Sequence, residues 1–242
     1  MEIVITNDDG WGTGGLLTLI TEMRQLGHVT VVAPDSARSG HGACISVTKE
    51  LRLQHISHEE GLDVYTSNGT PADCVKLALE VLFAGRKVDL LVSGINHGNN
   101  CSVNIVYSGT MGACFVGAEH GIPAIGFSLD DHAMEADFEP FRPHILPITR
   151  MLLERGFVRN ECVNVNAPVG EIVGSRWCRQ CAGHWEKEFL THTDADGGTF
   201  YTMTGQYVNE EPDAEDTDMW ALAHGYISIQ SVSIDLTRDG TV

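Results

Sequence analysis

Short β-branched runs alternate with longer amphipathic stretches through the first two-thirds of the chain, and this rhythm constrains the fold more than any other feature. Strands separated by helix-length segments need crossover connections, so the pattern predicts βαβ units around a parallel sheet, an α/β protein. Strands are expected over 2–6, 28–33, 88–93, 124–129 and 162–166, with helices near 15–26, 71–83, 110–120 and 141–155. The second helix has a clear start, with Thr70 as cap, Pro71 at the first helical position and Asp73 in the first turn. After Asn166-Ala-Pro168 the pattern breaks into short pieces such as 186–193 and 198–204, which suggest β-hairpins, and 226–234 reads as a last strand. Residues 1–170 are therefore expected to form the core and 171–242 an appendage of the same domain.

Composition narrows the function class. At 43% apolar and 20% charged residues, the 242-residue chain fits neither a disordered nor a fibrous protein. No window supplies the ~18 nearly uncharged apolar residues of a membrane span. The start, MEIVITNDDG, has an acid at position 2 and no basic run, so it reads as a core strand and not as a signal peptide. Fifteen basic against 33 acidic residues give a net charge of −18, which repels nucleic-acid polymers and anionic membrane surfaces. Seven cysteines, an odd number, argue against a disulfide framework and for a reducing cytoplasm. The six acids between positions 209 and 218 read as a solvated loop and a helix start.

The chemistry gathers where strands end. The first strand runs into Asn7-Asp8-Asp9-Gly10, which brings two adjacent carboxylates to the sheet edge where open α/β folds bind ligands. Adjacent carboxylates raise each other's proton affinity unless a cation separates them, so a hard divalent metal is the natural occupant. An Asx turn with a helix cap is the plain alternative. Next comes Gly10-Trp11-Gly12-Thr13-Gly14-Gly15, a formal dinucleotide-binding fingerprint with Asp35 twenty residues on. Asp8 and Asp9 would lie against the pyrophosphate of such a ligand, so the glycines read better as a flexible entry to the first helix.

Ser39, in the polar turn after the second strand, offers a hydroxyl to the same edge, and Asn96, after the apolar run near 88–93, offers a neutral oxygen. Ser108-Gly109-Thr110 opens a helix with hydroxyls, free backbone N–H groups and the positive end of the dipole, which suits a phosphate. A metal beside an anion cradle points to phosphoester chemistry. His41 and His97 sit in candidate loops and could assist proton transfer. Cys178-Arg-Gln-Cys181 with His184 lacks a second ligand pair for structural zinc, and the 112–117 segment lacks the lysine of a P-loop.

Five segments in order, Ile5-Thr-Asn-Asp-Asp-Gly10, Ala33-Pro-Asp35 with Ser39-Gly40, Gly69-Thr-Pro-Ala-Asp-Cys74, Ser93-Gly-Ile-Asn96 and Tyr107-Ser-Gly-Thr110, together resemble the SurE (survival protein E) family of metal-dependent 5′/3′-nucleotidases. Weaker echoes follow in Asn164-Val-Asn-Ala-Pro168, Asp216-Thr-Asp218 and Gly225-Tyr-Ile-Ser-Ile229. The resemblance implies a Rossmann-like parallel-sheet core with a protruding β-hairpin region and a C-terminal element swapped between protomers, making a homodimer or homotetramer assembled through 171–242. It implies one divalent metal per subunit, Mg²⁺ or Mn²⁺, on Asp8, Asp9, Ser39 and Asn96, and phosphate on Asn7, Gly40, Asn100, Ser108, Gly109 and Thr110. The activity implied is hydrolysis of nucleoside 5′-monophosphates in the cytoplasm, with 3′-monophosphates the open alternative, Asp8 and Asp9 as catalytic groups and Asp9 the preferred proton acceptor. Two rivals are an aspartyl-phosphate mechanism on Asp8, disfavoured because the acids are adjacent rather than spaced, and a non-catalytic dinucleotide module on the 10–15 loop. The chain departs from the family pattern at Val103-Asn104, where many members carry an acid, and at Cys178-Arg-Gln-Cys181.

Overall fold

The structure is a computed structural model that describes residues 1–133 and 135–237; Met134 and the last residues of the expected appendage, 238–242, lie outside it. Among the described residues, nine strands form one sheet. Six run parallel: β1 (Glu2–Thr6), β2 (His28–Pro34), β4 (Leu62–Ser67), β5 (Leu90–His97), β6 (Ala124–Leu129) and β7 (Glu161–Ala167). In space they lie in the order β4-β2-β1-β5-β6-β7, flanked by the antiparallel β3 (Leu53–Glu59) and β13 (Tyr226–Ser233), with β8 (Gly174–Trp177) outermost. The chain winds outward from β1 to β4, then returns to β5 and winds the other way. The crevice between the ends of β1 and β5 is the switch point at which doubly wound folds bind ligands.

Strand pleating sorts the core into two layers. Ile3 and Ile5 of β1 face α1 (Gly14–Met23) and α5 (Arg142–Arg155), against Leu16, Leu19, Met23 and Ile145. Val4 faces α2 (Pro71–Leu77) and α4 (Gly109–Glu119), against Ala72, Val75, Met111 and Val116. The start of α2 is a full capping box: the Thr70 hydroxyl accepts from the Asp73 N–H, and the Asp73 carboxylate accepts from the Thr70 N–H.

Several expectations shift. The third expected strand runs on to His97, so Asn96 and His97 belong to β5 itself. The helix expected over 71–83 is α-helical only to Leu77 and continues as a π-helical turn over Ala78–Leu82. The strands β3, β4 and β8 were not anticipated: β3 and β8 are polar and largely exposed, while β4 is short, and its buried Leu62 and Val64 alternate with Asp63 and Tyr65 over only four positions. The pieces after residue 180 make a ribbon in which β9 (Gly183–Glu186) pairs with β12 (Gln206–Asn209), and β10 (Phe189–Thr193) with β11 (Thr199–Met203). The acidic stretch is only partly solvated. Glu211 and Asp216 both pair with Arg179 at 2.8 Å, and Asp218, at the start of α6 (Asp218–Ala223), is fully buried. It accepts backbone N–H bonds from Ser102 and Cys181, both at 2.9 Å, which ties the ribbon to the loop after β5.

Candidate active site

β1 ends at the switch point, so the chain leaves the sheet through Asn7, Asp8 and Asp9 directly into the crevice. Asp8 is buried against the start of α4, where the Thr110 hydroxyl donates to its Oδ1 at 2.6 Å. Gly109 makes that approach possible, since a Cβ there would stand 2.9 Å from the Asp8 Cβ. Burial pushes the Asp8 carboxyl up to about 6; the Thr110 hydroxyl and backbone N–H pull it down, while the Asp9 charge pushes it further up. A buried acid beside a second acid is a site that gains from a bound cation.

Asp9 turns toward β5, where its Oδ2 meets the His97 Nδ1 at 2.9 Å, and His97 stands edge-on to Phe138. The Asn96 side-chain nitrogen donates to the Gly98 carbonyl at 2.8 Å, which leaves its Oδ1 without a protein donor among the described residues. The loop after β2 is pinned to the same edge by the Arg38 N–H, which donates to the Asp8 carbonyl at 2.7 Å, and it carries Ser39 and Gly40. Asn100 is held behind the site by Asn166, which accepts from its backbone N–H at 2.7 Å, and by Ser128, which accepts from its side chain at 2.8 Å.

These elements enclose a cavity of about 370 Å³, within the size range of small-ligand sites. Asp8, Ser39, Gly40, Asn96, Asn100 and Ser108 line it, all of them singled out by the sequence. Others do not reach it. Asn7 is buried outside the cavity lining; its side-chain nitrogen donates to the Gly10 carbonyl and to Thr13 and so shapes the loop, while its Oδ1 has no partner among the described residues. Thr110 directs its hydroxyl to Asp8 and Gly109 packs on Asp8, so both act on that carboxylate instead of opening to the cavity as expected of phosphate contacts. His41 is exposed, its Nδ1 3.3 Å from the Ser39 carbonyl. Two of the glycines at 10–15 are required by geometry: Gly10 adopts φ +96°, and a Cβ on Gly15 would stand 2.2 Å from the Ile95 carbonyl of β5. Sequence reasoning missed Trp185 and Tyr207 on the ribbon, Met219 on α6 and His132 in the loop after β6, because nothing local marks residues so far along the chain as facing the end of β1.

Among the described residues, no three His, Cys, Asp or Glu side chains form a metal cluster. The donors at this edge are two carboxylates with a hydroxyl and an amide oxygen. That all-oxygen set fits a hard divalent cation that keeps water in its shell and does not suit a thiolate-loving metal.

Fold and site thus define a doubly wound α/β protein with a carboxylate-bearing, oxygen-rich pocket at its switch point. The family profile described as Survival protein SurE matches residues 3–187. The chain is 46% identical over 240 residues to the 5′-nucleotidase SurE of Christiangramia forsetii and 44% identical over 236 residues to that of Bacteroides fragilis, covering 97% of this chain and 92% of the relative in each case. The crystal structure of the SurE protein from Aquifex aeolicus superposes with a TM-score of 0.84 at 32% identity, over 98% of this chain and 95% of that one. The chain belongs to the SurE family.

Proposed function

We propose that the chain is a metal-dependent phosphomonoesterase that releases phosphate from nucleoside 5′-monophosphates, and from 3′-monophosphates at the same site. The observation that carries this reading is the meeting of Asp8, Ser39, Asn96 and Ser108 around one cavity at the switch point, in a chain whose relatives bear the name 5′-nucleotidase SurE. Asp8, Asp9, Ser39 and Asn96 would hold one Mg²⁺ or Mn²⁺ per subunit. Such an ion, when bound, offsets charge on phosphoryl oxygens and lowers the pKa of coordinated water. Ser108, at the N-terminus of α4, stabilises the phosphoryl oxygens, Asn100 and Gly40 border them, and Thr110 orients Asp8 from behind. Asp9 is the proton acceptor, with His97 steadying its carboxylate.

The same reading covers the appendage. The ribbon, within residues 171–242, is the surface through which copies of the chain assemble into a dimer or tetramer in the cytoplasm. No described helix is long and apolar enough to cross a membrane. The decisive experiment is a phosphate-release screen over nucleoside monophosphates with Mg²⁺ or Mn²⁺ and with EDTA. Release that persists in EDTA, or none on any substrate with metal present, overturns the reading.

A further inference from the structure

The wall that the ribbon adds to the cavity is not explained by phosphate or metal chemistry. Trp185 of β9 is held in one orientation there. Its indole N–H donates to the Asn104 Oδ1 at 2.8 Å. Tyr207, opposite it on β12, meets the ring edge-to-face with centroids 5.9 Å apart. Gly205 makes room for the indole, since a Cβ at that position would stand 2.7 Å from its Cε3. Trp185 nevertheless stays about a third exposed and lines the cavity that Asp8 and Ser108 line. A large aromatic fixed on three sides and left open toward a pocket offers a preformed flat surface at small entropic cost.

Asn104 links this surface to the phosphate end. It opens the short helix α3 (Asn104–Tyr107), which leads directly into the Ser108 cap of α4. Its amide also lies 3.4 Å from the Asn99 Oδ1, beside the Asn100 anchor. Because Asn104 already takes the indole N–H, the ring has only its π-face to give a ligand. A π-face stacks on any nucleobase without reading its edge.

We propose that Trp185, positioned by Asn104, is the stacking surface for the base of the nucleotide substrate. The proposal deepens the nucleotidase reading and rests on it for the substrate class, yet binding of the base is testable without turnover. The first measurement is calorimetric titration of the EDTA-treated full chain with adenosine, which has no phosphate. The parent should bind it, Trp185→Ala should weaken binding ten-fold or more, and Trp185→Phe should recover most of the loss. Asn104→Ala, which frees the ring without removing it, should weaken binding about three-fold.

The second measurement is phosphate release with metal, comparing adenosine 5′-monophosphate with ribose 5-phosphate. Trp185→Ala should raise KM for the nucleotide about ten-fold and leave ribose 5-phosphate unchanged. A parent that does not bind adenosine, or a Trp185→Ala variant that loses both substrates equally, overturns the stacking role. Adenosine binding that depends on Trp185 in a chain that releases no phosphate upholds the base surface and sinks the nucleotidase reading instead.

Discussion

At the residue scale, Asp8 carries the most consequence. A carboxylate taken out of water normally keeps its proton, and burial does push this one up to about 6. Its neighbours are arranged to hold it charged when a cation is present: the Thr110 hydroxyl on Oδ1, and Gly109 small enough to let α4 approach. Asp8→Asn and Asp9→Asn should therefore each cost on the order of 100-fold or more in metal-dependent phosphate release, through loss of a charged ligand, while circular dichroism stays that of the parent. Full activity of either variant in EDTA would end the metal assignment. Thr110→Val keeps the volume and removes one hydrogen bond to a charged group, a loss of roughly 1.5 to 3 kcal/mol. It should raise the metal concentration for half-maximal activity about ten-fold, and an unchanged metal titration would mean that the hydroxyl only packs.

At the element scale, the edge between β7 and β13 rests on Glu161. Its side chain is buried, and it accepts from the Ser231 hydroxyl at 2.6 Å, Arg155 at 2.8 Å and the Val158 N–H at 2.9 Å. Burial opposes ionisation, but these three donors outweigh it and hold the carboxyl below its usual range. A depressed folded-state pKa adds stability that is present above the usual glutamate value of about 4.3 and is lost as pH falls through the lower folded value. Glu161→Gln should therefore melt well below the parent at pH 7, with a gap of about 2 kcal/mol that narrows as melts are taken from pH 5 down to pH 3. A gap that stays constant over that range would show that shape, not charge, matters at this position.

At the scale of the whole molecule, the ribbon is the part that the core does not explain. Phe189, Leu190, Tyr201 and Met203 are all exposed, Met203 at 77%, on a two-stranded piece that has little to bury by itself. Removing everything from Gly205 on would also take β13, which sits inside the main sheet between β7 and β8, and would disrupt the core. The cleaner variant deletes 189–203 and rejoins Glu188 to Thr204, whose backbones already hydrogen-bond at 2.9 Å. It should keep the melting transition of the core and reduce the mass seen by light scattering to that of one chain. A parent that is monomeric at micromolar concentration would contradict assembly through this surface.

Much of this was legible in the chain. The buried parallel strands are short apolar runs bounded by turns, and the ends of β1 and β6 fall where the sequence predicts them. The cap on α2 rests on three neighbouring residues, so local chemistry suffices to find it. Asp8, Ser39, Asn96 and Ser108 could be proposed because each follows a readable strand or opens a readable helix, and a parallel sheet brings such ends to one edge. Other features were set only by packing. That Thr110 serves Asp8, that Gly15 is there for the Ile95 carbonyl, and that Asp218 is buried all depend on atoms about 80 or more residues apart in the chain. Trp185 reaches the cavity only because β9 pairs with β12 and the ribbon folds back over α3. Periodicity and caps are local and survive in one dimension; which side chains share a cavity is decided by long-range contact, which one sequence does not encode in any nearby pattern.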